Sequence, residues 1–378
     1  QAAEKGYEIL KQDSEKVWKE YWKESDILIE GENDFDQLAI RFALYHLNIM
    51  VKHDDNRVGI GAKALTGEGY KGHSFWDTEM FILPYFTFTR PKTARTLLEY
   101  RYKNLYGAHL KAKENGYEGA MYPWECAWVD DGEVTPMYMG ADVVTGKITK
   151  CWTGIIEHHI SADIAYAVEQ YYLITGDRDY MEKCGYEIIL DTALFWASRV
   201  QYIPEKDRYE LLDVIGPDEY KEHVDNNAYT NYMAAYNMKL ALRIIDFLNG
   251  SDPELYRRLD KKLSLSHIKE KIEKCIDKLY LPVPNEEGII PQSDQFLGLK
   301  KNFIFYEDKT LHDSSLSKST HAILANDFGL EEMSYDLYER ALNIDLGPQM
   351  KSSDEGIHSA SIGGIWESTV MGFGGVRM

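Results

Sequence analysis

A carboxylic acid held on a turn, followed by amides, hydroxyls and flat rings, is the clearest chemistry in this chain. Val214-Ile215-Gly216-Pro217-Asp218-Glu219-Tyr220 supplies the acid, and Asp225-Asn226-Asn227-Ala228-Tyr229-Thr230-Asn231 follows it. Proline fixes φ and has no amide donor, while glycine accepts unusual backbone angles, so Gly216-Pro217 places Asp218 and Glu219 on a loop. The polar residues that follow suit a sugar pocket better than an apolar core. The same stretch also spells a turn and an Asp or Asn N-cap for a helix from about Tyr229 to Leu248. Taken alone, it favours that plainer account.

Glycine, aromatic and carboxylate residues mix in the same way at two other places. Gly59, Gly61, Gly67, Gly69 and Gly72 punctuate a segment ending Gly72-His73-Ser74-Phe75-Trp76-Asp77-Thr78-Glu79, and Gly116-Tyr117-Glu118-Gly119-Ala120-Met121-Tyr122-Pro123-Trp124-Glu125 is the second. Metal chemistry is not expected. Cys126, Cys151, Cys184 and Cys275 are widely spaced without a Cys-x-x-Cys pair, and His158-His159 lacks the i, i+4 spacing of a helical metal pair. The cysteines read as buried or incidental thiols of a reducing compartment, which points to the cytoplasm.

The elements that must position these stretches read as helices. Residues 1 to about 24 have helical periodicity. From Asp34 to Met50, Phe35, Leu38, Phe42, Tyr45 and Ile49 recur at steps of three and four, which predicts one helical face. Pro91 opens a helix that continues to about Asn115, and residues 126–152 read as a polar excursion over the surface. Further helices are expected over 158–175, 179–201, 229–248, 254–279, 315–328, 332–343 and near 366. Alternating apolar segments are scarce, so few strands are expected. Paired helices with the chemistry in their loops predict an all-α fold, an (α/α)6 barrel (helical toroid) with its site at one end. Residues 1–30 are then a leading helix and linker, and residues 31–378 one barrel domain.

Charge narrows the partners. A net charge of −20 and a pI near 5.0 leave no basic patch for nucleic acid or an anionic membrane surface. The apolar runs fall far short of a bilayer span and no basic-then-apolar leader opens the chain, so a soluble protein is expected.

Six loops together resemble one family. Ile60-Gly61-Ala62-Lys63 through Glu79, Gly119 to Glu125, Glu157-His158-His159-Ile160-Ser161-Ala162-Asp163-Ile164-Ala165-Tyr166, Gly216-Pro217-Asp218-Glu219, His312-Asp313-Ser314-Ser315-Leu316-Ser317, and Glu355-Gly356-Ile357-His358-Ser359-Ala360 with Gly363-Gly364 are similar, in order and spacing, to the disaccharide phosphorylases of glycoside hydrolase family sixty-five. The likeness covers nearly the whole chain and implies the family's catalytic barrel. The family also carries a β-sandwich before the barrel and a small β domain after it, neither of which is expected here. Between Gln292 and Tyr306 it has a longer segment with a Lys-Gln-Ala-Asp motif, whereas here Leu299-Lys300-Lys301-Asn302 runs directly towards His312. A spatial gap near Lys300 to Asn302 is therefore expected.

The resemblance assigns roles. Glu219 matches the family's general acid. An inverting hydrolase needs a second carboxylate to activate water, whereas phosphate arrives already anionic and needs only a pocket opposite the scissile bond. Ser314 and Ser315, ahead of the helix-like Leu316 to Phe328, would present hydroxyls and amides to that anion. His358 and flexible Gly363-Gly364 amides would close the other side, with His312 behind. Simple capping is the plainer use of the serines. Trp76 and Asp77 would grip the non-reducing glucosyl unit, with an N-cap as the competing account for Asp77. Trp124 and Glu125, with Thr153, would line the acceptor side, against a core tryptophan beside a surface glutamate. His73 and His159 would orient loops. The implied activity is inverting phosphorolysis of an α-glucosyl disaccharide or glucoside to β-glucose 1-phosphate and a free acceptor, with no cofactor or metal and a homodimeric assembly. The rivals are a hydrolase on the same barrel, using Asp313 or Glu355 as second carboxylate, and a non-catalytic sugar-binding barrel. Kojibiose, nigerose, maltose, trehalose and glucosylglycerol all stay open as substrates.

Overall fold

The computed structural model describes residues 2–31, 33–141, 146–286, 289–294, 302–307, 309–347 and 356–376. Lys300 and Lys301, where a gap was expected, and Glu355 lie outside the described residues.

The fold is all-α. Its helices are α1 (Ala2–Ser25), α2 (Asp34–Ile49), α3 (Leu83–Thr89), α4 (Pro91–Lys103), α5 (Leu105–Glu114), α6 (Thr153–Ile156), α7 (Ile160–Thr175), α8 (Arg178–Tyr180), α9 (Tyr186–Arg199), α10 (Ala228–Ser251), α11 (Pro253–Leu263), α12 (Leu265–Cys275), α13 (Asn302–Glu307), α14 (Ser317–Asp327), α15 (Glu331–Leu342) and α16 (Ser359–Glu367). Wider π-helical turns over Thr78–Ile82, Met181–Gly185 and Ser368–Phe373 adjoin α3, α9 and α16. Two short antiparallel hairpins interrupt the helices: β1 (Tyr138–Ala141) with β2 (Ile148–Lys150), and β3 (Gln201–Ile203) with β4 (Arg208–Glu210). No helix among the described residues is long and apolar enough to cross a membrane.

Local chemistry sets the boundaries. Pro91 and Pro253 open α4 and α11, where a missing amide costs nothing, and the Asp252 side chain caps α11 by accepting from the Leu255 amide. Gly176 ends α7 in the left-handed conformation that glycine tolerates. Two predicted long helices are each two. Asn104 separates α4 from α5, and Ser264, at φ 59°, separates α11 from α12.

The face predicted for α2 is not the one the core takes. Leu38 is 58% exposed and Tyr45 40%, while Ala39, Ile40, Ala43, Leu44 and Leu47 are fully buried. The small alanines let α2 pack closely against α16; Phe35 and Phe42 edge the core, and Tyr45 turns to α1, where it stacks on Trp18 with centroids 4.9 Å apart. The core continues through Tyr85, Phe86, Tyr122, Phe195 and Trp196, all fully buried, on or near helices that pack as α3 with α4, α7 with α9 and α10, and α9 with α10.

One pair of helices has a direction that matters for the site. Ser319 on α14 lies against Gly364, and its carbonyl accepts from the Ser368 hydroxyl at 3.1 Å; further along, Asn326 donates to the Gly372 carbonyl at 2.9 Å. Numbers rise together on both sides, so α14 and the α16 helix run parallel. Their N-terminal ends therefore lie at the same end.

Candidate active site

The Glu219 loop is a closed excursion rather than a free tail. Val214 and Val224 exchange backbone hydrogen bonds at 2.9 and 3.0 Å, which closes residues 214–224 into one loop, and the Ile215 amide donates to Ile156 at 3.1 Å. Gly216 has no room for a Cβ, which would collide with Asn227. Both accounts of this stretch hold. Glu219 stands on a loop, and Asn227 caps α10 by accepting from the Thr230 amide at 3.0 Å. The amides are not pocket lining, however. Asn226 and Asn231 are fully buried; the Asn226 side chain accepts from the Leu211 amide and donates to Asp294, and the Asn231 side chain donates to the Tyr280 carbonyl. They tie loops together because a buried amide must find partners.

Around Glu219 stands a buried charge cluster. His159 has no exposure, and its Nδ1 lies 2.7 Å from Asp163 and its Nε2 3.2 Å from Glu157. Tyr229 donates to the other oxygen of Asp163 at 2.9 Å. Three rings meet the imidazole edge to face, Trp76 at 4.7 Å, Tyr229 at 5.2 Å and Trp124 at 5.4 Å between centroids. Burial pulls the imidazole down, but Asp163 and Glu157 hold it up, to about 9, so both nitrogens donate. Burial pushes Glu157 up to about 8, helped by the charge of Glu219. Glu157 keeps one buried oxygen without a hydrogen bond among the described residues.

Glu219 feels the same cluster. It is open to solvent at the mouth of the site yet ringed by protein, and this partial desolvation raises its carboxyl; the His159 cation pulls it back and Asp218 pushes it further up. Burial raises Asp77 to about 7, and Glu79 and Glu219 add to it. Trp76, Asp77, Trp124 and Glu219, four residues singled out in the sequence, thus surround one cluster. Asp77 sits at an N-cap position but has helical backbone angles and caps nothing with its side chain.

Two partners that the sequence did not reveal hold these loops. Arg101, 1% exposed, makes a fork of two 2.7 Å bonds to Glu79 and donates to the Phe75 carbonyl, which fixes the turn carrying Trp76 and Asp77. Glu133 accepts from the Trp124 amide at 2.8 Å and the Glu125 amide at 3.1 Å, and pairs with Lys111. Glu125 in turn lies 2.7 Å from His73. Thr153 opens α6, its hydroxyl 3.3 Å from the Cys151 sulfur. Four positions on, Glu157 joins the cluster, which keeps Thr153 on a neighbouring turn.

The residues expected to hold an anion divide into two groups. Tyr220 donates to Asp313 at 2.7 Å, which binds the acid loop to the loop of Ser314 and Ser315. Ser314 accepts from the Leu316 amide at 3.2 Å, a local turn bond ahead of α14 rather than a cap of it, whereas the half-buried Ser315 hydroxyl has no partner among the described residues. At the start of α16, His358 Nδ1 lies 2.8 Å from Asp345 and Nε2 lies 3.1 Å from the Lys63 ammonium, which is 4% exposed. The Ser359 amide and hydroxyl both donate to the Ala62 carbonyl. That leaves the amides of Ala360 and Ser361 in the open first turn, and the Ser361 hydroxyl is buried without a partner among the described residues.

Gly363 and Gly364 do something else than expected. They lie inside α16, where amides are spent on intrahelical bonds, and a Cβ on either would collide with the Phe81 carbonyl or with Ser319. They let the helix approach its neighbours. Among the described residues, Glu307, His312 and His321 also place their donor atoms within 4.8 Å of one another.

The sequence model of the glycosyl hydrolase family 65 central catalytic domain matches residues 41–302 and 298–367, two stretches that meet at 298–302. A kojibiose phosphorylase of Halothermothrix orenii is 44% identical over 430 residues, covering 100% of this chain and 55% of that protein. An alpha,alpha-trehalose phosphorylase of Thermoanaerobacter brockii is 36% identical over 428 residues, covering 99% and 53%. Among solved structures, a putative kojibiose phosphorylase from human microbiome superposes with a TM-score of 0.84 at 27% identity, over 98% of this chain and 60% of that one. The chain spans about half the length of the curated relatives it matches. With its acid loop, its aromatic and charged cluster and two parallel helix starts in the order that the family model matches, the chain belongs to glycosyl hydrolase family 65 and carries its central catalytic domain.

Proposed function

We propose that this chain carries out inverting phosphorolysis of an α-glucosyl disaccharide, on an (α/α)6 barrel. The observation that carries it is the start of α16 at His358 and Lys63, on the same side as the start of the parallel α14. In this reading two helix N-termini, a buried ammonium, an imidazole and the hydroxyls of Ser315 and Ser361, without partners among the described residues, would together seat an anion. Water has no use for such a seat. A hydrolase needs a second carboxylate free to act as base; of the two candidates, Asp313 has one oxygen taken by Tyr220, and Glu355 lies outside the described residues.

In this proposal Trp76 and Asp77 hold the glucosyl ring, and Trp124, Glu125 and Thr153 face the acceptor. Glu219 gives its proton to the glycosidic oxygen as the bond to the anomeric carbon breaks. A phosphate oxygen forms the new bond to that carbon from the opposite face, so the configuration inverts and the products are β-glucose 1-phosphate and the free acceptor. No proton has to be taken from the nucleophile. The sharing of residues 298–302 by both matched stretches fits a further family segment at that point.

Relatives named kojibiose phosphorylases reach 44% identity, against 32% for one named maltose phosphorylase, which makes kojibiose the first substrate to try. The test is to incubate the full-length protein with kojibiose, with and without inorganic phosphate, and to follow glucose 1-phosphate and glucose. Glucose 1-phosphate formed with an equal amount of glucose, and only when phosphate is present, is the expected result. Release of two glucose molecules without phosphate would establish the hydrolase instead.

A further inference from the structure

Just ahead of the serine loop lies a cluster that the chemistry above does not use. Glu307 ends α13, and its two carboxylate oxygens face two imidazoles, His312 Nε2 at 2.8 Å and His321 Nδ1 at 2.5 Å. The two rings meet edge to face with centroids 4.9 Å apart. His312 is buried and sits at φ 52°, a left-handed conformation that costs a side-chain-bearing residue energy unless its surroundings impose it.

The surroundings do impose it. His312 Nδ1 lies 3.0 Å from the Ser317 hydroxyl, and the His312 carbonyl accepts from Lys318, whose ammonium also reaches the Ser314 carbonyl at 3.4 Å. The turn back to α13 is closed by Thr310, whose amide and hydroxyl both donate to the Tyr306 carbonyl, at 2.8 and 2.7 Å. One consistent set of protons satisfies the cluster. Ser317 can donate to His312 Nδ1, while His312 Nε2–H and His321 Nδ1–H each donate to one oxygen of Glu307. Asp313, Ser314 and Ser315 follow His312 directly, so the direction in which this loop points is decided by how His312 is held.

We propose that Glu307, by bridging His312 and His321, is a positioning residue that holds the Ser314-Ser315 loop in the conformation that receives phosphate. The inference rests on the phosphorolytic function proposed above. The three side chains are also a chemically reasonable set for a divalent cation, but such an ion gathers its ligands around one centre. Here each carboxylate oxygen is paired with its own imidazole nitrogen at hydrogen-bond length, the pattern of a clamp.

Glu307→Ala in the full-length enzyme is expected to raise KM for phosphate by about ten-fold while KM for the disaccharide shifts by less than about two-fold. Glu307→Gln, which can accept from one imidazole and donate to the other once that ring changes tautomer, is expected to recover most of the loss. An unchanged phosphate KM in Glu307→Ala overturns the proposal, as does a parallel rise of both KM values, the mark of general damage. One equivalent of tightly bound zinc that disappears in Glu307→Ala also overturns it, in favour of a coordination site. If Glu307→Ala fails to fold, His321→Asn removes one arm of the clamp and the same comparison of KM values decides. Phosphate-independent turnover by the wild type overturns the clamp together with the function beneath it, and is told apart because it needs no variant.

Discussion

A proton donor to a glycosidic oxygen has to be protonated when the substrate arrives and ready to part with its proton. In the role proposed for it, Glu219 would meet both needs by compromise: desolvation and Asp218 raise its carboxyl, and the buried His159 cation limits the rise. Turnover is therefore expected to fall as pH climbs through this raised carboxyl, because the ionised form has no proton to give. Glu219→Gln is expected to lower kcat by about a hundred- to ten-thousand-fold, with calorimetry still detecting disaccharide binding; turnover near the wild-type level would remove Glu219 from its role. Residues of this kind were legible in the sequence because Gly-Pro-Asp-Glu and Trp-Asp sit on loops that announce themselves. Lys63 was not, since its meaning comes from an imidazole 295 positions away. Arg101 was missed because the turn it holds lies 26 positions before it, and Glu133, only eight or nine positions from the amides it accepts from, because nothing in a polar stretch marks one carboxylate as a loop anchor.

Elements carry the loops, and the bond between α4 and the Trp76-Asp77 turn is a buried ion pair. Removing one partner of such a pair strands the other charge out of water, at about 3–5 kcal/mol. Arg101→Met is thus expected to lower unfolding stability by about that amount, as read by denaturant titration, and a cost near zero would show that Glu79 is satisfied without it. Helix positions were largely legible, because 3.6-residue periodicity and opening prolines are local signals. What failed was anything decided by a neighbour. Of the stripe predicted on α2, Tyr45 turned to α1 and Leu38 to solvent while Phe35 and Phe42 only edge the core, whose centre prized the small alanines that admit α16. Gly363 and Gly364 looked like flexible amides and serve as flat surfaces between helices. The two hairpins have strands of three or four residues, too short to show an alternation.

At the scale of the whole molecule, helix packing leaves a cavity of about 210 Å³ between α3, α7, α14 and α16, lined by Glu367, Glu79, Thr87, Tyr166 and Gln170 among apolar neighbours. Burial raises the Glu367 carboxyl well above its usual range, with no opposing charge. The native state then binds this proton more tightly than the unfolded chain does. Stability is whole below the ordinary glutamate range near pH 4.3 and drains away as pH rises from there towards the native titration. Glu367→Gln, neutral throughout, is expected to match the wild type in melting temperature near pH 4 and to exceed it increasingly towards pH 7. A constant difference across that range would show that Glu367 does not titrate differently on folding. A last consequence concerns the bond from Tyr220 to Asp313, which yokes the donor loop to the loop of the anion seat. Under the proposed function, this single surface hydrogen bond couples the two loops, so that displacing one biases the other and fewer molecules would offer stray water an armed acid without the nucleophile's berth beside it.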